Sequence, residues 1–174
     1  MVEQFQLAAE AVGTVVKRFA TLGDAASYAA SLTGTAAVAA PSLPSDLRQA
    51  LGNILLAAPA DFAIAEIGIS AARAGIAATG SLLLELSAPT ERSATALPPV
   101  HLVFLDARTI VPTLAELAPI LAENLDRPSP AYLSLTTGPS RTADIERVLT
   151  IGVHGPKELH ILMLEGDELW TKGS

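Results

Sequence analysis

The densest group of chemically capable side chains in the sequence is the run Thr136-Thr137-Gly138-Pro139-Ser140-Arg141-Thr142-Ala143-Asp144-Ile145-Glu146. Hydroxyls and a guanidinium crowd around a Gly-Pro pair, and such a set of donors suits carboxylate or phosphate oxygens. Tyr132–Thr136 ahead of the pair reads as a strand and Thr142–Leu149 behind it as a helix. The segment is therefore expected at the carboxyl end of a strand of an open α/β sheet, with free helix N–H groups turned toward an anion. Gly138, Ser140, Arg141 and Thr142 are candidate ligand-binding residues. The same residues also fit a structural role, with Ser140 or Thr142 capping the helix, Asp144 and Glu146 complementing its dipole, and Arg141 paired with either acid.

A second small-residue turn, Gly75-Ile76-Ala77-Ala78-Thr79-Gly80-Ser81, feeds an apolar strand. Small side chains let a ligand or another backbone come close, so Thr79, Gly80 and Ser81 join the candidates. A tight buried turn accounts for them almost as well.

Other chemistries find less support. His101, His154 and His160 are the imidazoles of the chain, and a metal site would need two of them to converge with a carboxylate such as Glu158 or Asp106. His154 and His160 lie six apart across Gly155-Pro156, which is not a ligand spacing, so no metal is expected. Neither a Gly-x-Ser-x-Gly elbow nor a glycine-rich phosphate loop is present. With no cysteine, disulfides, thiolate metal sites, Cys-bound iron–sulfur clusters and a cysteine nucleophile are excluded from this chain. No cofactor of its own is expected, and any redox centre would belong to a partner.

The elements that must position these residues follow an alternating pattern. Helices are expected at Val2–Val12, from an Asp24 cap through Leu32 to Gly34, and from Ser45 to Gly52. Between them Thr14–Val16, Ala36–Ala40 and Asn53–Ala57 read as strands. Strands near Ala65–Ser70 and Ser81–Leu86 are expected around a turn, and Pro89–Pro99 is read as a mobile surface loop. His101–Leu105 and Leu159–Leu164 read as strands. Leu114, Leu117, Leu121 and Leu125 have helical spacing behind a Thr113/Glu116 capping box, with Pro119 forcing a kink or a displaced start.

This rhythm predicts an α/β fold, a mostly parallel sheet with helices on its faces. Half the residues are hydrophobic but 4% are aromatic, so the core must be built from Ala, Leu, Ile and Val. At 174 residues the chain is expected to form one domain, 1–174. A net charge of −7 argues against nucleic acid as a partner. Asn53 and Asp61 bracket the apolar run Ile54–Ala60, and Glu85 interrupts Leu82–Leu86, so no membrane span is expected. Met1-Val2-Glu3-Gln4 lacks the basic start of a secretory leader, which makes the cytoplasm the expected compartment. Open sheet edges would admit a homodimer.

The stretch Gly138 to Glu146, continuing through Gly152-Val153-His154-Gly155-Pro156-Lys157-Glu158-Leu159-His160, resembles the C-terminal signature of the lactate-utilisation (LUD, or LutC/YkgG) family. Ile76-Ala77-Ala78-Thr79-Gly80-Ser81 resembles that family's Ile-Ala-Glu-Thr-Gly-Thr/Ser element. Leu97-Pro98-Pro99-Val100-His101 and Ile110-Val111-Pro112-Thr113 resemble its next two landmarks, so the resemblance covers about 61–164. It implies a three-layer α/β/α fold of the NagB/RpiA/CoA-transferase-like type. It also implies an accessory or ligand-binding subunit in the oxidation of L-lactate to pyruvate, working beside iron–sulfur proteins. Ala78 stands where the family element carries Glu, which removes a candidate nucleophile or base. The alternative is a stand-alone transferase or cyclo-ligase-like enzyme acting on a small carboxylate, phosphate or CoA-type anion, with Glu66, Glu85 or Asp144 as acid or base.

Overall fold

The structure is a computed structural model that describes residues 1–52, 54–143, 149–151 and 155–166. Five parallel strands form its central sheet: β1 (Val15–Phe19), β2 (Val38–Ala39), β3 (Ile67–Ala71), β6 (Val100–Asp106) and β11 (Glu158–Leu164), in the order β1-β11-β6-β3-β2. β2, β3, β6 and β11 are buried on both faces, as a sheet covered on both sides requires, whereas β1 at the edge exposes Lys17 and Arg18. Alternation along each strand divides the core in two. Ile67, Ile69, Leu102, Phe104, Leu162 and Leu164 face helices α2 (Leu22–Thr33) and α3 (Ser45–Leu51). Val103, Leu105, Leu159, Ile161 and Met163 face the opposite way, toward α1 (Val2–Ala11) and a second sheet.

That second sheet is mixed and four-stranded, in the order β7-β4-β5-β8, with β4 (Ala74–Ile76), β5 (Ser81–Glu85), β7 (Ile110–Val111) and β8 (Leu133–Thr136). Leu82 and Leu84 of β5 pack on the parallel sheet. Leu83, Ala74 and Ile76 point outward to Leu117, Ile120 and Leu121, on the short 3-10 turn Leu114–Leu117 and on α5 (Ala118–Leu125). The expected α/β architecture with a mostly parallel sheet is thus present, with an additional mixed sheet layered on one face.

Several local expectations hold for the reasons given. Gly34 ends α2 at φ +52°, and Thr113 with Glu116 opens the 3-10 turn, from which α5 starts anew with Pro119 in its first turn. Others are corrected. The cap of α2 is Thr21, whose hydroxyl accepts from the Asp24 amide at 3.1 Å, so Asp24 sits inside the helix. Ser45 is the first residue of α3 and supplies no side-chain cap.

The run Asn53–Ala57 contributes an isolated bridge from Leu56 to Val38 rather than a strand, and Asn53 lies outside the described residues. The strands β3 and β5 belong to different sheets, with β4 between them. Pro89–Ala96 is not a loop but helix α4. Pro89 suits a first helical turn because it has no N–H to leave unpaired, and the Glu91 carboxylate accepts the Ala88 amide at 2.7 Å. The helix sits directly on β3, where a side chain on Gly68 would run into the carbonyl of Ala94.

The largest correction concerns Thr142–Leu149. Arg141–Ala143 is strand β9 and Leu149–Ile151 is strand β10, paired antiparallel with Thr142 opposite Thr150. Extended backbone at 141–143 presents no helix N-terminus there, so a helix dipole cannot serve an anion at this point. Residues 144–148 lie outside the described set.

Candidate functional site

The two sheets pack tightly where β5 meets the parallel strands and separate one strand further on. Register explains the change. Thr136 pairs with Leu82 and Ser134 with Leu84, and side chains directly opposite in an antiparallel pair share a face. The two leucines bury themselves against the parallel sheet. Ser134 and Thr136 face the same way but cannot form an apolar seam, and a cleft of about 590 Å³ opens beside them.

The floor of the cleft comes from His101 and Leu159, each the second residue of its parallel strand. Thr95 and Ala96 at the end of α4 form one wall, and Val12 at the end of α1 forms another. Thr137, Gly138, Pro139, Ser140 and Arg141 curl over it. The site therefore lies at the carboxyl end of β8, as the motif suggested, but at the amino ends of β6 and β11. The strand that carries the motif belongs to the mixed sheet, which reverses the expected geometry.

Arg141 is exposed and donates through Nη2 to the Val12 carbonyl at 2.7 Å. Val12 caps the carboxyl end of α1, where the negative end of the dipole favours a cation. No carboxylate pairs with Arg141 among the described residues, and Asp144 and Glu146, the partners considered for it, lie outside them. The Ser140 amide donates to the Pro156 carbonyl at 2.9 Å, which holds the loop to the segment entering β11.

The second small-residue turn stands behind this loop. The hydroxyls of Thr79 and Ser81 lie 2.7 Å apart, and Ser81 is 2.6 Å from the Thr137 hydroxyl. The structure thus joins the two candidate segments through a chain of hydroxyls that ends on the cleft. Thr79, Gly80 and Ser81 are not among its lining residues. Gly80 has φ +65°, and its Cα faces α1 so closely that a side chain would run into the Ala9 backbone. Its smallness serves helix packing. Gly138 likewise abuts Val12. Thr142 lies in β9, next to Arg141.

His101 was considered in the sequence as a metal ligand. Register shows that it cannot share an ion with His160. His160 pairs with Leu102, so it projects with Leu102 to the helix-covered face, where its Nε2 contacts Glu158 at 3.1 Å. His101 projects to the other face. His154 is outside the described residues.

The Ser70 hydroxyl of β3 lies 2.8 Å from His101 Nε2, and burial pushes the imidazole pKa down to about 4, so the ring is neutral at ordinary pH. Sequence reading missed this pairing because the residues are 31 apart and meet through strand register alone. The carboxylates considered as acid or base are elsewhere. Glu66 is exposed and away from the cleft. Glu85 is held by Arg73 at 2.7 Å and Arg127 at 2.6 Å, in a ring closed by Glu123. Asp144 is not among the described residues.

Fold and cleft together define an α/β domain in which a parallel sheet and a smaller mixed sheet part to leave a donor-rich pocket. Residues 57–164 match the LUD domain family model, and the chain belongs to that family. It is 33% identical over 102 residues to "Lactate utilization protein C" of Bacillus subtilis, covering 57% of this chain and 42% of that protein. It is 35% identical over 103 residues to "Uncharacterized protein YkgG" of Escherichia coli K12, covering 58% and 45%. The matches thus span less than half the length of these relatives. A crystal structure of a DUF162 family protein from Deinococcus radiodurans superposes with a TM-score of 0.65 at 17% identity, covering 94% of this chain and 95% of that one, which establishes the shared fold. Among the described residues no helix is long and apolar enough to cross a membrane.

Proposed function

We propose that this chain is a ligand-binding, accessory module of an L-lactate-utilisation system, and that its cleft takes a small anion. The observation that carries the reading is the chemistry of the lining: one guanidinium, several hydroxyls, a neutral imidazole and, among the described lining residues, no carboxylate. Such a surface offers donors to oxygen anions without a competing negative charge, and its volume falls in the range of small-molecule sites.

In this reading Gly138, Ser140 and Arg141 meet the ligand, Thr142 follows Arg141 in the same strand, and Thr79, Gly80 and Ser81 support the loop from behind through Thr137. The names of the Bacillus relatives support the lactate context. Electron transfer then belongs to iron–sulfur partner proteins in the cytoplasm, because a chain without cysteine has no thiolates to hold a cluster.

Calorimetry on the full chain with L-lactate, pyruvate and inorganic phosphate tests the cleft. Binding of one of them, weakened at least about tenfold by Arg141→Ala, is the expected result. Binding that is unchanged in both Arg141→Ala and Ser140→Ala would reduce the loop to a structural element. Tagged chain recovered from its host should retain iron-containing partners with lactate-oxidising activity, and recovery of a clean iron-free protein would overturn the accessory role.

A further inference from the structure

The Ser70–His101 pair is buried, polar and unused by the loop that covers the cleft. Ser70 is 9% and His101 2% exposed, and among the described residues their one side-chain hydrogen bond joins Ser70 Oγ and His101 Nε2. A buried hydroxyl that only accepts leaves its own hydrogen unpaired, which is costly. Among the described residues Ser70 has no other acceptor for that hydrogen, so the satisfied arrangement has Ser70 donating to Nε2. A neutral imidazole that accepts at Nε2 carries its proton on Nδ1. Burial keeps the ring neutral. No group among the described residues pairs with Nδ1, and the ring lines the cleft.

We propose that His101 is the specificity-determining donor of the cleft: its Nδ1–H recognises a carbonyl oxygen on the ligand whose anionic group is met by Arg141, with Ser70 as the positioning residue that fixes the tautomer. The inference rests on the reading of the cleft as an anion site and adds the second group that the ligand must carry. A ketone oxygen is a pure acceptor and matches a lone donor. A hydroxyl in the same place brings a hydrogen that Nδ1–H cannot accept. The cleft therefore prefers a 2-oxo carboxylate to the matching 2-hydroxy carboxylate.

Imidazole nitrogen shifts from long-range proton–nitrogen correlation spectra of the uniformly labelled full chain report the tautomer without any ligand. The expected result is Nδ1–H in the wild type and a mixture of tautomers in Ser70→Ala, with the backbone spectrum otherwise preserved. Titration with pyruvate and L-lactate follows, by calorimetry and by the His101 resonances. Pyruvate should bind at least about fivefold tighter and shift the Nδ1–H signal, and His101→Phe, which keeps the ring volume, should erase that preference while leaving residual Arg141-dependent binding.

An Nε2–H tautomer, or equal affinities with His101 undisturbed, overturns the assignment while leaving the anion site standing. Absence of carboxylate binding to the wild type overturns this inference, and absence of phosphate binding as well removes the anion site with it. If His101→Phe fails to fold, the Ser70→Ala tautomer and its pyruvate-to-lactate ratio still decide the matter, since an unchanged ratio with a changed tautomer refutes the role of Nδ1.

Discussion

Acid should expose the cost of keeping His101 uncharged. Its pKa is pushed from 6.5 down to about 4 by burial, and Arg141, the charged side chain among the described lining residues, offers no negative charge to offset protonation. A group whose folded pKa lies below its unfolded value stabilises the fold above the unfolded pKa and loses that contribution as pH falls toward the folded one. For His101 the window runs from pH 6.5 to about 4. The whole gap is worth about 3 kcal/mol, and by pH 5 roughly 2 kcal/mol of it is gone.

Urea unfolding of the wild type and of His101→Gln, each at pH 8 and pH 5, isolates this share, because other titrating groups contribute equally to both proteins. The wild type should lose about 2 kcal/mol more than the variant, and the His101 Cε1–H resonance should stay flat between pH 8 and 6. A resonance that titrates near 6.5, or equal acid losses in the two proteins, would refute the account of a desolvated, neutral ring.

Three further outcomes test the architecture by the same unfolding measurement. Phe104→Ala, at a fully buried position between β6 and the α2/α3 layer, should cost about 3–5 kcal/mol. Gly80→Ala should cost more than about 1 kcal/mol, because it meets both a positive φ and the Ala9 backbone; hydrogen exchange should quicken selectively in α1. Glu85→Gln breaks two part-buried ion pairs and should cost about 1–2 kcal/mol, with the loss weakened by high salt.

What the sequence disclosed and what it hid follow from the range of the forces involved. Helix α1, the stop at Gly34, the Thr113 cap and the displaced start at Pro119 are encoded within a turn or two of chain, and they are legible. The runs at β3 and β5 look alike as apolar strands, but their separate sheets depend on partners far away in the chain. Helix α4 hid behind Pro, Thr and Ser because its start is fixed by the Glu91–Ala88 contact and its seat by the bare surface of Gly68. At 141–143 the alternation of strands and helices suggested a helix, while cross-strand pairing of β9 with β10 set the backbone. In the site, the motif at 138–141 announced itself through clustered donors. A single imidazole inside an apolar strand announces nothing until register sets Ser70 beside it.

The bond from Arg141 to the Val12 carbonyl spans 129 residues and ties the family-matched segment, 57–164, to a helix that precedes it. One wall of the pocket is therefore made by a part of the chain that the family model does not match. Changes confined to α1 can reshape the pocket mouth and redirect Arg141 while every residue of the shared motif stays the same. The mouth of this pocket and its floor are thus built by different parts of the chain, one outside and one inside the family-matched segment.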